Sequence, residues 1–317
     1  MRPLLAAAVL ALPSALRAAP PARPPAAVAA AARGAPATAQ PERVHRVEKL
    51  SGHAYAIFGK GGNVGLFVGE REAVLVDSQL APLVPGLLEA VASVTTKPIK
   101  LLVNTHFHGD HVGGNPALAG RVQAIVAHAN VPARVEADQA RLAPGERGGL
   151  PSLLVGERDP ERPARLDVRL DGLELHLVHR RAAHTDGDLL VDAPAERVLQ
   201  TGDLFFLGML PFVDREGGGS FDGLVDTIAA LASSVPDDVK IVPGHGPVCG
   251  KRELVRYRDF LAAVQAHARA HPGKTSRELA ESFDAAAWPE WKPVPTFVTW
   301  ETLFDAATGR GPGRVAR

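Results

Sequence analysis

Short apolar runs separated by glycine-rich turns dominate the chain after residue 43. Over residues 44–77 the runs VHRVEKL, HAYAIFG, VGLFVG and AVLVD follow one another, with a turn at residues 59–63. Runs of this length between glycine and asparagine residues predict β-strands. Helical spacing of apolar residues over 82–94 then predicts a helix, and the apolar run 99–104 predicts a buried strand after it.

A second block of strands follows a segment with little pattern. Residues 122–127 predict a strand, and residues 128–138 predict a helix that Pro132 interrupts early. Residues 139–165 are rich in proline, glycine, arginine and glutamate, and they predict a long surface loop of a kind that is often functional. The later runs RLDVRL, LELHLVHR, DLLVDA, ERVLQT and VKIV predict strands, with a helix over 220–235 before the last of them.

Helical patterns fill the chain beyond residue 251. Helices are predicted over 252–270 and 299–307, and a third is opened by Thr275, with Glu278 at capping-box spacing. Two strand-rich blocks, each followed by helix, indicate two sheets packed face to face with helices outside. The aromatic residues of the C-terminal segment are interpreted as packing it onto the sheets, and contact with substrate is the alternative. They are Trp288, Trp291, Phe297 and Trp300.

The start of the chain has the composition of a secretory signal over residues 1–19. A cationic Arg2 precedes the apolar stretch 4–12, and Pro13 and small residues follow it. The alternative to a signal is a disordered leader, rich in alanine and proline, without a targeting role. Residues 20–41, mostly alanine and proline, predict a flexible linker in either case. The apolar stretch is too short to span a bilayer. We therefore expect a periplasmic or secreted protein without stable membrane insertion once the signal is removed.

Composition and charge narrow the class of partner. The 317 residues have zero formal charge, but the first 39 contain four arginines and no acid, so the remainder carries 0 − 4 = −4. An acidic chain without a basic patch is a poor nucleic-acid binder, and we expect a small-molecule substrate. Cys249 is the only cysteine, which excludes an intrachain disulfide. It is interpreted as a buried structural thiol rather than a metal ligand.

Candidate chemistry concentrates in the stretch NTHFHGDHVGGN, directly after a predicted strand. His106 and His108 are two positions apart on an extended segment, so their imidazoles can point to one place. Gly109 allows a tight turn, after which the donor atoms of Asp110 and His111 can point to a second position a few ångströms away. Imidazole and carboxylate suit zinc, with iron or manganese as alternatives.

Further ligands must come from other segments, because a catalytic zinc takes about three protein ligands and an open position. Three later turns offer His184 in AHTDGD, Asp203 in TGD and His245 in PGHG, each next to a predicted strand. Each turn is ordinary by itself, but one end of a sheet can gather all of them. The remaining histidines are interpreted as surface or packing residues. They are His45, His53, His128, His176, His179, His267 and His271.

The motifs THFHGDHVGGN, AHTDGD, TGDLFF and PGHGPV resemble, in order and spacing, the ligand motifs of the metallo-beta-lactamase superfamily of hydrolases. The resemblance implies a four-layer αββα sandwich over residues 42–250, with a C-terminal helical segment over 251–317. It also implies a dinuclear site at the edge between the sheets. The implied ligands are His106, His108 and His184 for the first metal and Asp110, His111 and His245 for the second, with Asp203 bridging both. Asp77 matches an acidic residue that the family uses as support.

This resemblance implies a dinuclear zinc metallohydrolase. A hydroxide shared by two zinc ions is a nucleophile at neutral pH, and Asp110 can orient it and pass a proton to the leaving group. With an acid at Asp203, the motifs resemble those of the thioester, lactone and phosphoester hydrolases of the superfamily, glyoxalase II among them, more than those of true beta-lactamases. We expect a small ester, thioester, lactone or amide as substrate. The alternatives are beta-lactam hydrolysis, a single-iron persulfide dioxygenase and a non-catalytic metal-dependent binding protein.

Overall fold

Seven strands, each hydrogen-bonded to the next one along the chain, form the first sheet of the computed structural model, which describes residues 45–156 and 163–310. They are β1 (Arg46–Lys49), β2 (Ala54–Phe58), β3 (Val64–Val68), β4 (Ala73–Val76), β5 (Ile99–Val103), β6 (Ala124–His128) and β7 (Leu153–Val155). Strands β1 to β4 pair antiparallel, and β4 to β7 pair parallel. The predicted signal 1–19 and linker 20–41 lie outside the described residues.

The second sheet contains five strands in the order β13-β11-β10-β9-β8. The strands of this half are β8 (Ala164–Leu170), β9 (Leu173–His179), β10 (Leu190–Ala193), β11 (Val198–Phe206), β12 (Gly208–Met209), β13 (Lys240–His245) and β14 (Trp291–Lys292). Strands β8 to β11 pair antiparallel, and β13 joins β11 in parallel. Strands β12 and β14 form a separate parallel pair that links the C-terminal segment to the rest.

Eight α-helices are present among the described residues. They are α1 (Val84–Val94), α2 (Gly109–Val112), α3 (Asn115–Leu118), α4 (Val131–Gln139), α5 (Phe221–Ser234), α6 (Lys251–Ala270), α7 (Ser276–Ser282) and α8 (Trp300–Thr308). None of the helices in this part of the chain is both long and apolar enough to cross a bilayer.

Three apolar clusters define the layers. Leu87 of α1 packs with Leu75 on the outer face of the first sheet. Val76 and Leu177 belong to a second cluster that is buried between the two sheets, as expected for strands whose alternate side chains face a partner sheet. The third cluster joins β11 to helices α5, α6 and α8, with Phe260 fully buried in it. The predicted four-layer αββα sandwich with a helical C-terminal extension is therefore confirmed.

Two local predictions were wrong. Pro132 does not interrupt a helix but lies in the first turn of α4, where its missing N–H costs no hydrogen bond. The segment 139–165 is not one long loop, because it contains β7, and its residues 157–162 lie outside the described residues. Strand β7 is only three residues long, and its pairing with β6 depends on a neighbour that is distant in sequence.

The aromatic residues of the C-terminal segment pack as interpreted, with one exception. Trp291 stacks on Phe260 at 4.7 Å between ring centroids, and its indole nitrogen donates to the carbonyl of Phe206 at 2.8 Å. Trp288 and Trp300 lie against the same phenylalanine. Phe297 is the exception, because it stays 36% exposed.

Candidate metal centre

Seven histidine and aspartate side chains from separate segments meet at the edge where the two sheets come together. One group comprises His106, His108, His184 and Asp203, and a second comprises Asp110, His111 and His245. Within each group the donor atoms lie within 4.8 Å of one another. The structure thus brings together every side chain of the set that the sequence predicted.

In the first group, the rings of His184 and His108 turn nitrogen lone pairs toward each other. His184 Nδ1 donates to the carbonyl of Phe212 at 2.7 Å, and His108 Nε2 donates to the carboxylate of Asp214 at 2.9 Å. The other nitrogens of these two rings, His184 Nε2 and His108 Nδ1, are only 3.0 Å apart. Burial lowers the pKa of His184 to about 4, so this ring is neutral at physiological pH. Two nitrogen lone pairs that face each other at this distance repel unless a cation lies near them. A metal ion bound by both nitrogens would supply that positive charge.

His106 points into the same space from the end of β5. Its Nδ1 lies 3.1 Å from Thr105 Oγ1, while its Nε2 is buried and makes no hydrogen bond. An unsatisfied polar atom in the interior is costly, so this nitrogen is suited to an ion. Burial holds the pKa of His106 well below its usual value, which keeps the lone pair free of a proton.

The second group is anchored by a buried aspartate that precedes it in the chain. Asp77 lies directly after β4 and receives three hydrogen bonds of 2.8 Å, from His111 Nδ1, Thr105 N and Thr105 Oγ1. His111 Nε2 is therefore directed to the centre, where it is buried without a hydrogen-bond partner. His245 Nε2 lies 3.3 Å from Asp110 Oδ2. Asp77 thus lies where the family resemblance implied a supporting acid.

The carboxylate of Asp203 lies between the two groups. Its Oδ1 is 3.1 Å from His111 Nε2, and its Oδ2 is 3.5 Å from both His184 Nε2 and His245 Nε2. Oδ2 is also 3.8 Å from His106 Nε2. One carboxylate that reaches nitrogens of both groups has the geometry of a bridging ligand.

The backbone around Asp203 differs from the sequence-based expectation. The sequence indicates a turn after a strand, but Asp203 lies inside β11, which continues to Phe206 with register shifts on both sides of Gly202. Gly202 has φ 51°, a left-handed conformation that glycine adopts without strain. Gly244 of β13 passes so close that a Cβ there would overlap Asp203 Oδ1. The glycine in PGHG therefore makes room for the carboxylate.

Burial and close opposite charges dominate the electrostatics of the centre. Burial alone would raise the pKa of Asp203, but His245, His111 and His106 hold it well below its usual range. Burial would lower the pKa of His245, yet Asp203 and Asp110 outweigh it and raise that pKa to about 9. His245 is therefore protonated at neutral pH unless a cation binds there.

Exposure separates the two groups. All four members of the first group are buried, as is His111. The side chains of Asp110 and His245 keep 33% and 21% of their surface accessible. Within the centre, accessible side-chain surface is therefore found mainly on Asp110 and His245.

Sequence reasoning missed Asp214 and the carbonyl of Phe212, which orient the two facing histidines. Asp214 also accepts from the backbone N–H of Gly217 at 2.9 Å. Burial opposes ionisation, but the hydrogen bonds from His108 and Gly217 lower the pKa of Asp214 to about 2. The run PFVDREGGG has the composition of an ordinary turn, so no sequence signal marks this aspartate.

The chain does not need a glycine to turn at Gly109. Gly109 opens helix α2 without a left-handed φ, and a Cβ there would meet nothing within 4 Å. At Gly62, in the turn before β3, a Cβ would overlap the imidazole of His111. The close approach that requires glycine is therefore at Gly62.

The single cysteine and the other histidines lie outside both groups. Cys249 is half-buried in the C-terminal half of the sandwich, and burial raises the pKa of its thiol to about 12. His128 and His179 are buried and stack at 4.0 Å between ring centroids. These positions agree with packing rather than with metal binding.

Aromatic rings border the centre on its second-sheet side. Phe206 stacks on His245 at 5.5 Å between centroids. Phe212 lies 6.0 Å from His184 and 6.1 Å from His108. The exposed Phe297 lies 5.1 Å from Phe212. The polar centre thus continues into an aromatic surface that reaches solvent.

Comparison with solved structures agrees with the fold. The stereoselective inverting sec-alkylsulfatase Pisa1 from Pseudomonas sp. superposes with a TM-score of 0.65 at 18% identity, over 83% of this chain and 50% of that one. A metallo-beta-lactamase from Pontibacter korlensis superposes with a TM-score of 0.55 at 19% identity, over 69% of this chain and 99% of that one. At such identities the likeness shows the fold alone.

Sequence comparison finds two curated relatives. A "Beta-lactamase-like protein 2 homolog" from Caenorhabditis elegans is 29% identical over 248 residues, 71% of this chain and 75% of that protein. The alpha subunit of 2,4-dinitroanisole O-demethylase from Nocardioides sp. (strain JS1661) is 31% identical over 115 residues, and the match spans only 31% of its length. The family profile of the metallo-beta-lactamase superfamily matches residues 57–245, which include all seven side chains of the centre. The chain belongs to the metallo-beta-lactamase superfamily.

Proposed function

We propose that the protein is a dinuclear zinc hydrolase that cleaves a small ester, thioester, lactone or amide. The observation that carries the proposal is the position of Asp203, whose two carboxylate oxygens lie within 3.5 Å of nitrogens from both donor groups. The ligands would be His106, His108 and His184 for one ion and Asp110, His111 and His245 for the other, with Asp203 shared.

The donor set favours zinc over harder or softer ions. Five imidazoles and two carboxylates are borderline-to-hard ligands, and neither group contains a thiolate. When bound, a pair of zinc ions supplies a nucleophile from water at neutral pH and polarises the scissile bond of the substrate. Iron and manganese accept similar donors, and metal analysis distinguishes them.

The protein's own groups would position the reactants and move the proton. Asp110 is one of the two accessible members of the centre, and its Oδ2 lies 3.3 Å from His245 Nε2. From this position its carboxylate can accept a proton from the attacking water and return it to the leaving group. An Asp110→Asn variant that retains both metals and full activity would contradict this role.

Metal content and substrate scope together test the proposal. The full chain, purified without added metal, is expected to contain two zinc ions and to hydrolyse members of a panel of thioester, lactone, phosphodiester and chromogenic cephalosporin. Asp203→Ala should lose metal and activity, whereas Asp226→Ala, which changes an exposed aspartate paired with Arg181, should keep both. One iron per chain with oxygen consumption would overturn the proposal in favour of a dioxygenase. Two bound zinc ions without hydrolysis would overturn it in favour of a binding protein.

We also propose that the mature protein is exported to the periplasm or outside the cell and acts on a small molecule rather than on nucleic acid. The support is the signal-like composition of residues 1–19 and the net charge of −4 beyond residue 39, from 0 − 4. N-terminal sequencing of protein from a periplasmic fraction should find that residues 1–19 are absent. Recovery of the intact N-terminus from the cytoplasm would contradict export.

A further inference from the structure

We propose that Phe212 and Phe297 form an apolar wall that binds the acyl or aryl group of the substrate, so that the enzyme prefers substrates with a long or aromatic acyl group. The inference rests on the proposed hydrolase function and names the substrate class of the same site. It assigns a specificity role to a residue of the C-terminal segment, far in sequence from the metal motifs.

The wall starts at the metal centre and ends in solvent. The ring of Phe212 lies 6.0 Å from His184 and 6.1 Å from His108, and Phe297 lies 5.1 Å from Phe212 on the outer side. These contacts give a continuous aromatic surface next to the first donor group. A substrate whose reactive carbon is at the centre can therefore extend its hydrocarbon part over both rings.

The segment that carries Phe212 cannot shift without disturbing the centre. The carbonyl of Phe212 accepts from His184 Nδ1 at 2.7 Å, and Asp214 accepts from His108 two residues later. On the other side, Leu210 donates to the carbonyl of Lys292 at 2.9 Å, which continues the pairing of β12 with β14. The same short segment thus orients two histidines and attaches the C-terminal segment beside them.

Phe297 is held outward by an ordered turn. Its N–H donates to the carbonyl of Val294 at 2.7 Å, and the N–H of Val298 donates to the same carbonyl at 2.8 Å. Val298 is buried, whereas Phe297, its neighbour, remains 36% exposed. Phe297 is thus the exposed member of an aromatic pair whose other ring, Phe212, lies 6.0 Å from His184, and a ligand held at the centre can cover it.

The chemistry of the wall selects the group that it binds. Both side chains are hydrocarbon rings without a charge or a hydrogen-bonding group, so they contribute through burial of apolar surface. A methyl group at the reacting carbon is too short to cover both rings, while a long acyl chain or an aryl ring can do so. The enzyme's preference for a substrate should therefore increase with the length of the acyl chain.

A series of acyl esters tests the wall. The zinc-loaded full chain is assayed with acetyl, butyryl, octanoyl and benzoyl p-nitrophenyl esters, and kcat and KM are determined separately. For Phe297→Ala we expect the KM of the octanoyl ester to rise roughly tenfold and that of the acetyl ester to stay unchanged, since only the longer chain reaches this ring. Phe297→Leu, which keeps an apolar side chain, should recover most of the loss.

A control variant removes another exposed apolar side chain, in a different part of the fold. Leu154→Ala changes the edge strand β7, where the leucine is 48% exposed, and should leave all four KM values unchanged. If Phe297→Ala changed the KM of the acetyl and octanoyl esters equally, the proposed wall would be wrong. It would also be wrong if the wild-type protein preferred the acetyl ester.

A binding measurement separates failure of the wall from failure of the hydrolase proposal. Isothermal titration of the zinc-loaded protein with octanoate and acetate should show octanoate bound at least about tenfold more tightly, a difference that Phe297→Ala removes. If no ester is hydrolysed but this difference is present, the wall stands and the hydrolase proposal is wrong. If esters are hydrolysed but the two acids bind equally, the wall is wrong.

Discussion

The carboxylate of Asp214 lies 2.9 Å from Nε2 of His108 and so determines which imidazole nitrogen faces the metal centre. With Nε2 engaged as a donor, Nδ1 is the nitrogen that points to His184, at 3.0 Å from its Nε2. The neighbouring carbonyl of Phe212 fixes the tautomer of His184 in the same way. One segment, residues 210–217, therefore controls the orientation of two of the proposed ligands.

Removing this acceptor should weaken metal binding without unfolding the protein. We expect Asp214→Ala to lower zinc affinity by roughly tenfold to a hundredfold, because His108 loses the contact that fixes its tautomer and ring orientation. Asp214→Asn retains a carbonyl acceptor and should lose less. Competition with a chromophoric chelator measures the affinity, and Asp226→Ala is the control. Unchanged affinity in Asp214→Ala would show that His108 is oriented by other contacts.

Substitution of two glycines should have opposite effects on zinc content. The harmful substitution is at Gly62, whereas Gly109, which lies in the histidine motif, should tolerate alanine. In Gly62→Ala, the new methyl group would overlap the ring of His111, which Asp77 holds from the other side. We expect loss of one of the two zinc ions. Gly109→Ala adds its methyl group to open space and should keep both ions. Elemental analysis of the two purified variants decides, and full zinc content in Gly62→Ala would contradict the predicted overlap.

Zinc binding should release protons at neutral pH. The carboxylates of Asp203 and Asp110 outweigh burial and raise the pKa of His245 to about 9 in the metal-free protein. Below that pH a proton must leave His245 before the nitrogen can bind a metal, so affinity rises with pH by about tenfold per unit for each proton and levels off above the pKa. Isothermal titration at pH 7 in buffers of different ionisation enthalpy counts the protons. Release of fewer than one proton per chain would disagree with the raised pKa.

Cys249 should be unreactive in the folded protein. Burial raises the pKa of its thiol to about 12, and only the thiolate reacts with an alkylating reagent. At pH 8 we expect iodoacetamide to modify the native protein at least about a hundredfold more slowly than the protein unfolded in urea. Zinc loading should leave the native rate unchanged, since Cys249 belongs to neither donor group. Rapid native labelling that zinc suppresses would instead indicate a metal ligand.

The sandwich was predictable because its elements are encoded locally. The alternation in LELHLVHR and the apolar run before NTHFHGDHVGGN place β9 and β5 within a residue or two of their observed bounds. Strand β7 was not predictable, since three residues contain too little periodic signal and only β6 makes the segment a strand. The same limit applies to Asp203, whose strand continues through a glycine bulge that a sequence pattern cannot distinguish from a turn.

The sequence by itself determined the layered fold and the histidine and aspartate side chains that meet, because periodicity and short motifs at strand ends depend on neighbouring residues. Only the tertiary structure decided how those side chains are oriented. Asp214 contacts His108 across 106 positions of the chain, and Phe212 contacts His184 across 28. Such hydrogen bonds form between segments that packing of the two sheets brings together, and no local pattern encodes which acceptor will face which imidazole.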